Sequence, residues 1–224
     1  MAATTFTLPI PTQASNDVLG QAATSTDSTF KVLYFGVHGR GELTRYILAA
    51  ADAKWEELPL DWPTQKSQMP FRVLPVVWEY TKDGTILELA EAQAIERYLS
   101  KKFHFYGKNE WESHKVEQFF TSTDTASNTF TTKVISASPD ARVANANEYY
   151  KDTLSKFIEV HEEHLKKNGS NGHYVGNSNT LADLKTTLFI DRVLFFAPKG
   201  ADEVPISAEK TPNLWKLRET VNST

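Results

Sequence analysis

A tyrosine, an arginine and several glycines crowd residues 31–50, KVLYFGVHGRGELTRYILAA. Residues 32–35, Val-Leu-Tyr-Phe, are β-branched and aromatic and end at Gly36, which predicts a strand. The strand delivers Tyr34 to a turn holding Gly39-Arg40-Gly41. Leu43, Tyr46, Ile47 and Ala50 then recur at helical spacing over residues 42–51. A phenol, a cation and backbone N–H groups thus meet at the end of a strand, which equips the turn to hold an anion such as a carboxylate or a thiolate. The chain has no cysteine. That excludes disulfides, CxxC redox chemistry and a cysteine nucleophile, so any thiol must come with a ligand.

The elements that must position this turn follow along the chain. Residues 57–60 predict a second strand, broken by Asp61-Trp62-Pro63, and residues 64–69 show no clear element. Leu74-Pro75-Val76-Val77-Trp78 predicts a strand introduced by proline. Asp83-Gly84 signals a hairpin turn, with the return strand at residues 85–87. Residues 91–99 predict a helix with Ala94, Ile95 and Tyr98 on one face. The order is β-α-β, then β-β-α. Beyond a linker the period is helical throughout. Helices are expected over residues 111–137 and 142–167, the second with Tyr150, Leu154, Phe157, Ile158, His161 and Leu165 as its buried stripe. Thr180 and Asp183 form a capping box opening a helix to residue 196, and a last helix spans residues 213–221 after Thr211-Pro212. The division expected is a disordered tail at 1–29, an α/β domain at 30–100, a linker at 101–110 and an all-α domain at 111–224.

Composition narrows the partners. The 224 residues suffice for two small domains, and a net charge of −4 gives no reason to expect nucleic acid or an anionic membrane as partner. No stretch approaches the roughly 18 apolar residues of a membrane span. Residues 1–29 contain no Lys or Arg, unlike a secretory or mitochondrial leader, and their Thr/Ser/Ala/Pro content reads as a disordered tail, with the cytoplasm as the expected location. The sequons at Asn168 and Asn222 are then chance matches. The run His161-Glu-Glu-His164 lacks the H-E-x-x-H spacing of a metal pair and reads as helix surface.

The β-α-β/β-β-α order with a proline opening the third strand resembles a thioredoxin-like domain. With an all-helical domain attached, the chain resembles a cytosolic glutathione transferase, and in detail the sigma class, the branch of prostaglandin D synthases and S-crystallins. The matching stretches are Tyr34-Phe35, Gly39-Arg40-Gly41-Glu42-Leu43, Asp61-Trp62-Pro63, Lys66, Leu74-Pro75-Val76, Ala94-Ile95-Glu96-Arg97-Tyr98-Leu99, Tyr174-Val175-Gly176-Asn177 and Thr180-Leu-Ala-Asp183. The resemblance implies a homodimer that conjugates glutathione, as co-substrate, to small hydrophobic electrophiles without a metal.

It also implies roles, residue by residue. Tyr34 donates its O–H to the glutathione sulfur. A free thiol has a pKa near about 8.5, and a donor aimed at the thiolate favours the charged form. Arg40 polarises the site behind it. Trp62 and Lys66 grip the glycyl end. Pro75 is the cis proline of the fold, exposing the backbone of Leu74 to the cysteinyl part. Glu91 and Ala92 open a helix at the γ-glutamyl carboxylate, and Glu117 of the partner subunit approaches the γ-glutamyl amine. Each has a plain alternative: a sheet tyrosine, a solvated arginine, lysine or glutamate, a packing tryptophan. The pattern departs from the class at Ala92, where serine is usual, and at the far end, where sigma-like chains continue past Thr224 and wall the acceptor pocket. These departures leave a second reading open, a non-catalytic binding or structural protein with a weakened glutathione site.

Overall fold

A computed structural model describes residues 7–223 and divides the chain into two units, Met1–Phe103 and His104–Thr224. The first contains helix α1 (Asn16–Ala23), strand β1 (Thr29–Leu33), helix α2 (Glu42–Ala50), strand β2 (Lys54–Glu57), the short helix α3 (Trp62–Gln65) with a 3-10 turn at Lys66–Gln68, strands β3 (Val76–Tyr80) and β4 (Ile86–Ala90), and helix α4 (Ala92–Lys102). The sheet order is β2-β1-β3-β4. β2 runs parallel to β1, whereas β3 and β4 pair antiparallel. This is the expected thioredoxin-like order.

Alternation sorts the strand side chains onto two faces. Leu33, Val76 and Trp78 lie on one, in a core cluster with Leu58, Met69 and Leu74. Tyr34, Leu60, Trp62, Ala90 and Leu8 pack against that cluster. Phe30, Val32 and Val77 are buried on the opposite face.

The structure changes several expectations. β2 lies at Lys54–Glu57, not at residues 57–60, because its ladder with β1 pairs Thr29 with Lys54 and Val32 with Glu57. Pro59 has no N–H with which to extend it, and Leu58 makes the last bond, its N–H donating to the Val32 carbonyl at 2.8 Å. The Trp62-Pro63 stretch starts a helix rather than only breaking a strand, since proline is tolerated in a first turn. Gln65 secures it, accepting from the Asp61 N–H at 2.8 Å and donating to the Pro59 carbonyl at 3.2 Å.

The stretch read as a disordered tail carries α1, with Ser15 as N-cap and Ala22 buried. Composition missed its anchors, which are distant in sequence. Thr12 donates its N–H to the Ile86 carbonyl at 2.9 Å and accepts the Ile86 N–H on its hydroxyl at 2.8 Å. Lys102 donates to the Ala23 carbonyl at 2.9 Å and pairs with buried Glu79 at 2.7 Å. Ser28 and Tyr98 also donate to Glu79, each at 2.6 Å. These contacts extend α4 to Lys102, into the residues expected to be linker. The portion of the tail at residues 1–6 lies outside the described residues.

The second unit is helical: α5 (Glu110–Phe130), α6 (Pro139–Tyr149), α7 (Ser155–Lys167), α8 (Leu181–Phe195) and α9 (Pro212–Asn222). Wide π-turns at Thr131–Ile135 and Tyr150–Leu154 interrupt the two long helices expected here, and the Tyr149 hydroxyl donates to the Ala126 carbonyl just before the first of them, at 3.0 Å. α6 begins at Pro139 rather than residue 142, because proline suits an N1 position. Asp183 closes the capping box of α8, accepting from the Thr180 N–H at 2.8 Å and hydroxyl at 2.7 Å and from the Tyr174 N–H at 2.9 Å.

Candidate active site

β1 ends at Leu33, so Tyr34 stands at the strand's mouth, half-buried. The Arg40 N–H donates to the Tyr34 hydroxyl oxygen at 2.7 Å. A hydroxyl that accepts through a lone pair keeps its own proton for another acceptor. The glycines on either side of Arg40 make this approach possible. A Cβ on Gly39 would lie 2.3 Å from the Tyr34 hydroxyl, and one on Gly41 2.5 Å from the ring's Cγ. Only hydrogen fits at either place, so the glycines serve close approach rather than an unusual φ.

The remaining residues of this end line up from Tyr34. Its ring meets Phe35 edge-on with centroids 5.6 Å apart, and Phe35 meets Trp62 at 6.0 Å. The Lys66 ammonium lies 5.9 Å from the Trp62 ring centroid. Leu74 belongs to the core cluster on which Tyr34 and Trp62 pack, and the Leu74–Pro75 peptide bond is cis.

Glu91 follows Ala90, which packs on the same cluster. Its backbone is in the left-handed half of conformational space, φ 69° and ψ 114°, which a non-glycine residue adopts only under constraint. It is the N-cap of α4, yet its side chain makes no capping bond, and Ala92 is the helix's first residue. The N–H groups and the positive dipole end of a helix start favour an anion at this place. Glu117 lies on α5 in the other unit and accepts from the Tyr106 hydroxyl of its own chain.

The turn thus unites Tyr34 with Arg40 through the Arg40 backbone, while the Arg40 side chain is exposed. Sequence reasoning missed Arg45. It donates to the Phe35 carbonyl at 2.8 Å, the Val37 carbonyl at 3.3 Å, Glu42 at 2.9 Å and both oxygens of Glu57, and its guanidinium carbon lies 5.5 Å from the Tyr34 ring centroid. Burial opposes its charge, but the bonds to Glu57 and Glu42 outweigh that and hold the guanidinium above its ordinary pKa. The signal available was Glu42 and Arg45 at i,i+3 in the helix after the turn.

Among the described residues no group of three or more His, Cys, Asp and Glu is placed to hold a metal ion. The residues of the His161–His164 run have other partners. His161 is buried between the Ser122 hydroxyl at 3.0 Å and the Tyr174 hydroxyl at 2.5 Å, as its place in the buried stripe predicts, which corrects the surface reading of the run at this residue. Glu162 accepts from the first N–H groups of α9, at 3.2 Å from Asn213 and 2.7 Å from Leu214. Glu163 pairs with Lys167 at 2.6 Å, and His164 meets Phe119 edge-on at 5.1 Å. No helix among the described residues is long and apolar enough to cross a membrane.

Comparison with known proteins gives the family. The family model described as "Glutathione S-transferase, C-terminal domain" matches residues 123–224. Probable glutathione S-transferase 7 of Caenorhabditis elegans is 34% identical over 162 residues, 69% of this chain and 75% of that protein. S-crystallin SL11 of Nototodarus sloanii is 26% identical over 162 residues, 70% of this chain and 77% of that one. A sigma-class glutathione transferase of Fasciola hepatica shares the fold with a TM-score of 0.76 at 24% identity, covering 88% of this chain and 91% of the other. The chain belongs to the glutathione transferase family, a family of transferases.

Proposed function

We propose that the protein conjugates glutathione to small hydrophobic electrophiles and that Tyr34 stabilises the glutathione thiolate. The carrying observation is the Tyr34 hydroxyl, which accepts the Arg40 N–H at 2.7 Å and so has its own O–H left to donate. Donated to the sulfur, that proton favours the thiolate over the thiol, each unit of thiol pKa being worth about 1.4 kcal/mol. The thiol gives its proton to solvent, the thiolate attacks an electrophilic carbon, a C–S bond forms, and the leaving group departs with the electron pair of the bond it breaks. Tyr34 keeps its proton throughout.

The other candidates hold glutathione in place. Trp62 and Lys66 take the glycyl carboxylate, and the Leu74 backbone before Pro75 takes the cysteinyl part. The open N-terminus of α4 at Glu91-Ala92 takes the γ-glutamyl carboxylate. Glu117 of the partner subunit approaches the γ-glutamyl amine, which makes the working form a homodimer, with the cytoplasm as its compartment. Ala92 supplies no hydroxyl. A hydrogen bond to a charged group is worth about 1.5–3 kcal/mol, so affinity is lower than a serine would give by roughly tenfold or more.

Ala92 also favours a second reading, a binder or structural protein like the relative named S-crystallin. Retention on immobilised glutathione followed by a chlorodinitrobenzene assay separates the two. Retention with turnover supports the transferase. Retention without turnover supports the binder, and a protein that is neither retained nor turns over overturns the glutathione reading.

A further inference from the structure

Arg40 is the arginine that the sequence pattern offers to the tyrosine, yet its guanidinium is exposed. Arg45 carries the contacts. A guanidinium has five N–H donors in a fixed fork, and all of them are used here. Nε and one Nη2 hydrogen go to Glu57, the other Nη2 hydrogen to the Phe35 carbonyl, and the two on Nη1 to the Val37 carbonyl and Glu42. Those acceptors lie on three pieces of chain: Glu57 ends β2, Glu42 starts α2, and the carbonyls belong to the segment leaving Tyr34. Phe35 and Val37 are exposed, so burial of their side chains does little to hold that segment. The guanidinium also lies 5.5 Å from the Tyr34 ring centroid, while the Gly39-Arg40-Gly41 backbone packs closely against the ring and hydroxyl.

The charges decide what kind of help this is. Facing Arg45 are Glu42 and Glu57, and His38 pairs with Glu42 at 3.5 Å. Two carboxylates already neutralise the guanidinium, so little positive field is left for a thiolate at the hydroxyl. Its effect on the site is geometric.

We propose that Arg45 is the positioning residue of the site. By holding the Phe35 and Val37 carbonyls against Glu42 and Glu57, it fixes the Tyr34 hydroxyl and the Arg40 N–H in register. This inference rests on the glutathione reading for its catalytic consequence but not for its structural core.

The test compares Arg45→Lys, which keeps the charge and loses the fork, with Glu57→Gln, a milder change that keeps one acceptor oxygen. Three quantities are read: exchange of the Arg40 amide by NMR, the pH midpoint of the thiolate absorbance of bound glutathione, and kcat apart from KM for glutathione. Arg45→Lys is expected to speed Arg40 amide exchange at least tenfold. It should move the thiolate midpoint up toward the free thiol's, and lower kcat by roughly 10–100-fold, the scale of an ångström-sized misplacement. KM for glutathione should change less than threefold, because the ligand's carboxylates are held elsewhere. Glu57→Gln should show the same pattern at a few-fold, and it carries the test if the lysine variant does not fold. Wild-type values in Arg45→Lys would overturn the proposal, since charge without the fork would then suffice. A loss shared equally by kcat and KM would also overturn it, pointing to general loosening. If the unmodified protein shows no thiolate absorbance with glutathione, the glutathione reading fails, and the Arg40 amide still decides the positioning claim.

Discussion

The two ends of the candidate site are built to different standards. At the Tyr34 end the groups near the ring fix one another: the Arg40 N–H is held by the turn, the turn by two glycines with room only for hydrogen, the ring by the Arg45 cage. At the Glu91 end a single strained residue opens a helix without a capping bond from its own side chain, and Ala92 has no polar side-chain group to offer. The difference separates two tasks. Orienting a donor toward a developing charge demands rigid geometry, whereas gripping a carboxylate can be done with N–H groups that any helix start provides. A protein so built is expected to activate its thiol well and hold it loosely.

The first way to break this comparison is Tyr34→Phe. Loss of a donor aimed at reacting charge costs on the order of 10²–10³ in rate. Turnover should fall by that much while the glutathione Kd, measured by calorimetry, stays within about twofold. An equal loss in both would mean that Tyr34 grips rather than activates. Gly41→Ala is next. Its Cβ would sit 2.5 Å from the ring, and such overpacking costs roughly 1–3 kcal/mol of stability. Thermal unfolding should fall by several degrees and kcat by about tenfold. A variant as active and stable as the parent would show that the turn has slack. Ala92→Ser addresses the other end, and it should tighten glutathione binding by roughly tenfold with kcat unchanged. No tightening would place another donor on the carboxylate and erase the asymmetry.

What could be read from sequence divides along similar lines. The Tyr34 strand, the Gly-Arg-Gly turn, the α8 capping box and the two-unit organisation each rest on local signals, a period, a turn residue or a cap. The parts missed depend on partners far along the chain. β2 shifted because its register is set by β1. α1 escaped composition because its anchors are Lys102 and the Ile86 edge of β4. Arg45 looked like one more helix-surface cation, since the Phe35 and Val37 carbonyls become its acceptors only when the chain turns back at Gly36. The cluster uniting Tyr34, Trp62 and Leu74 is likewise a product of the sheet, not of spacing.

The helical unit extends the comparison, for there two buried groups oppose each other and the smallest effect is expected in the intact protein. Burial pushes the His161 imidazole down to about 3, with His164 adding repulsion, and pushes the Asp183 carboxyl up to about 7 against its three hydrogen bonds. The folded state therefore binds fewer protons at His161 than the unfolded chain between about pH 3 and 6.5, so this group's stability contribution is lost as pH falls through that window. Asp183 does the reverse. The folded state holds its proton up to about 7, so its contribution is present at low pH and lost as pH rises from about 4. Each slope is on the order of 1.4 kcal/mol per pH unit, opposite in sign, and they overlap between about pH 4 and 6.5. From these two residues the parent protein should show almost no net slope in that interval. Relative to the parent, His161→Phe should lose stability as pH rises from 4 to 6.5, and Asp183→Asn should gain it, whatever each substitution costs at a single pH. Urea unfolding at half-unit steps reads both slopes. Variants whose pH profiles stay parallel to the parent's would show that neither group keeps its shifted protonation state in the fold.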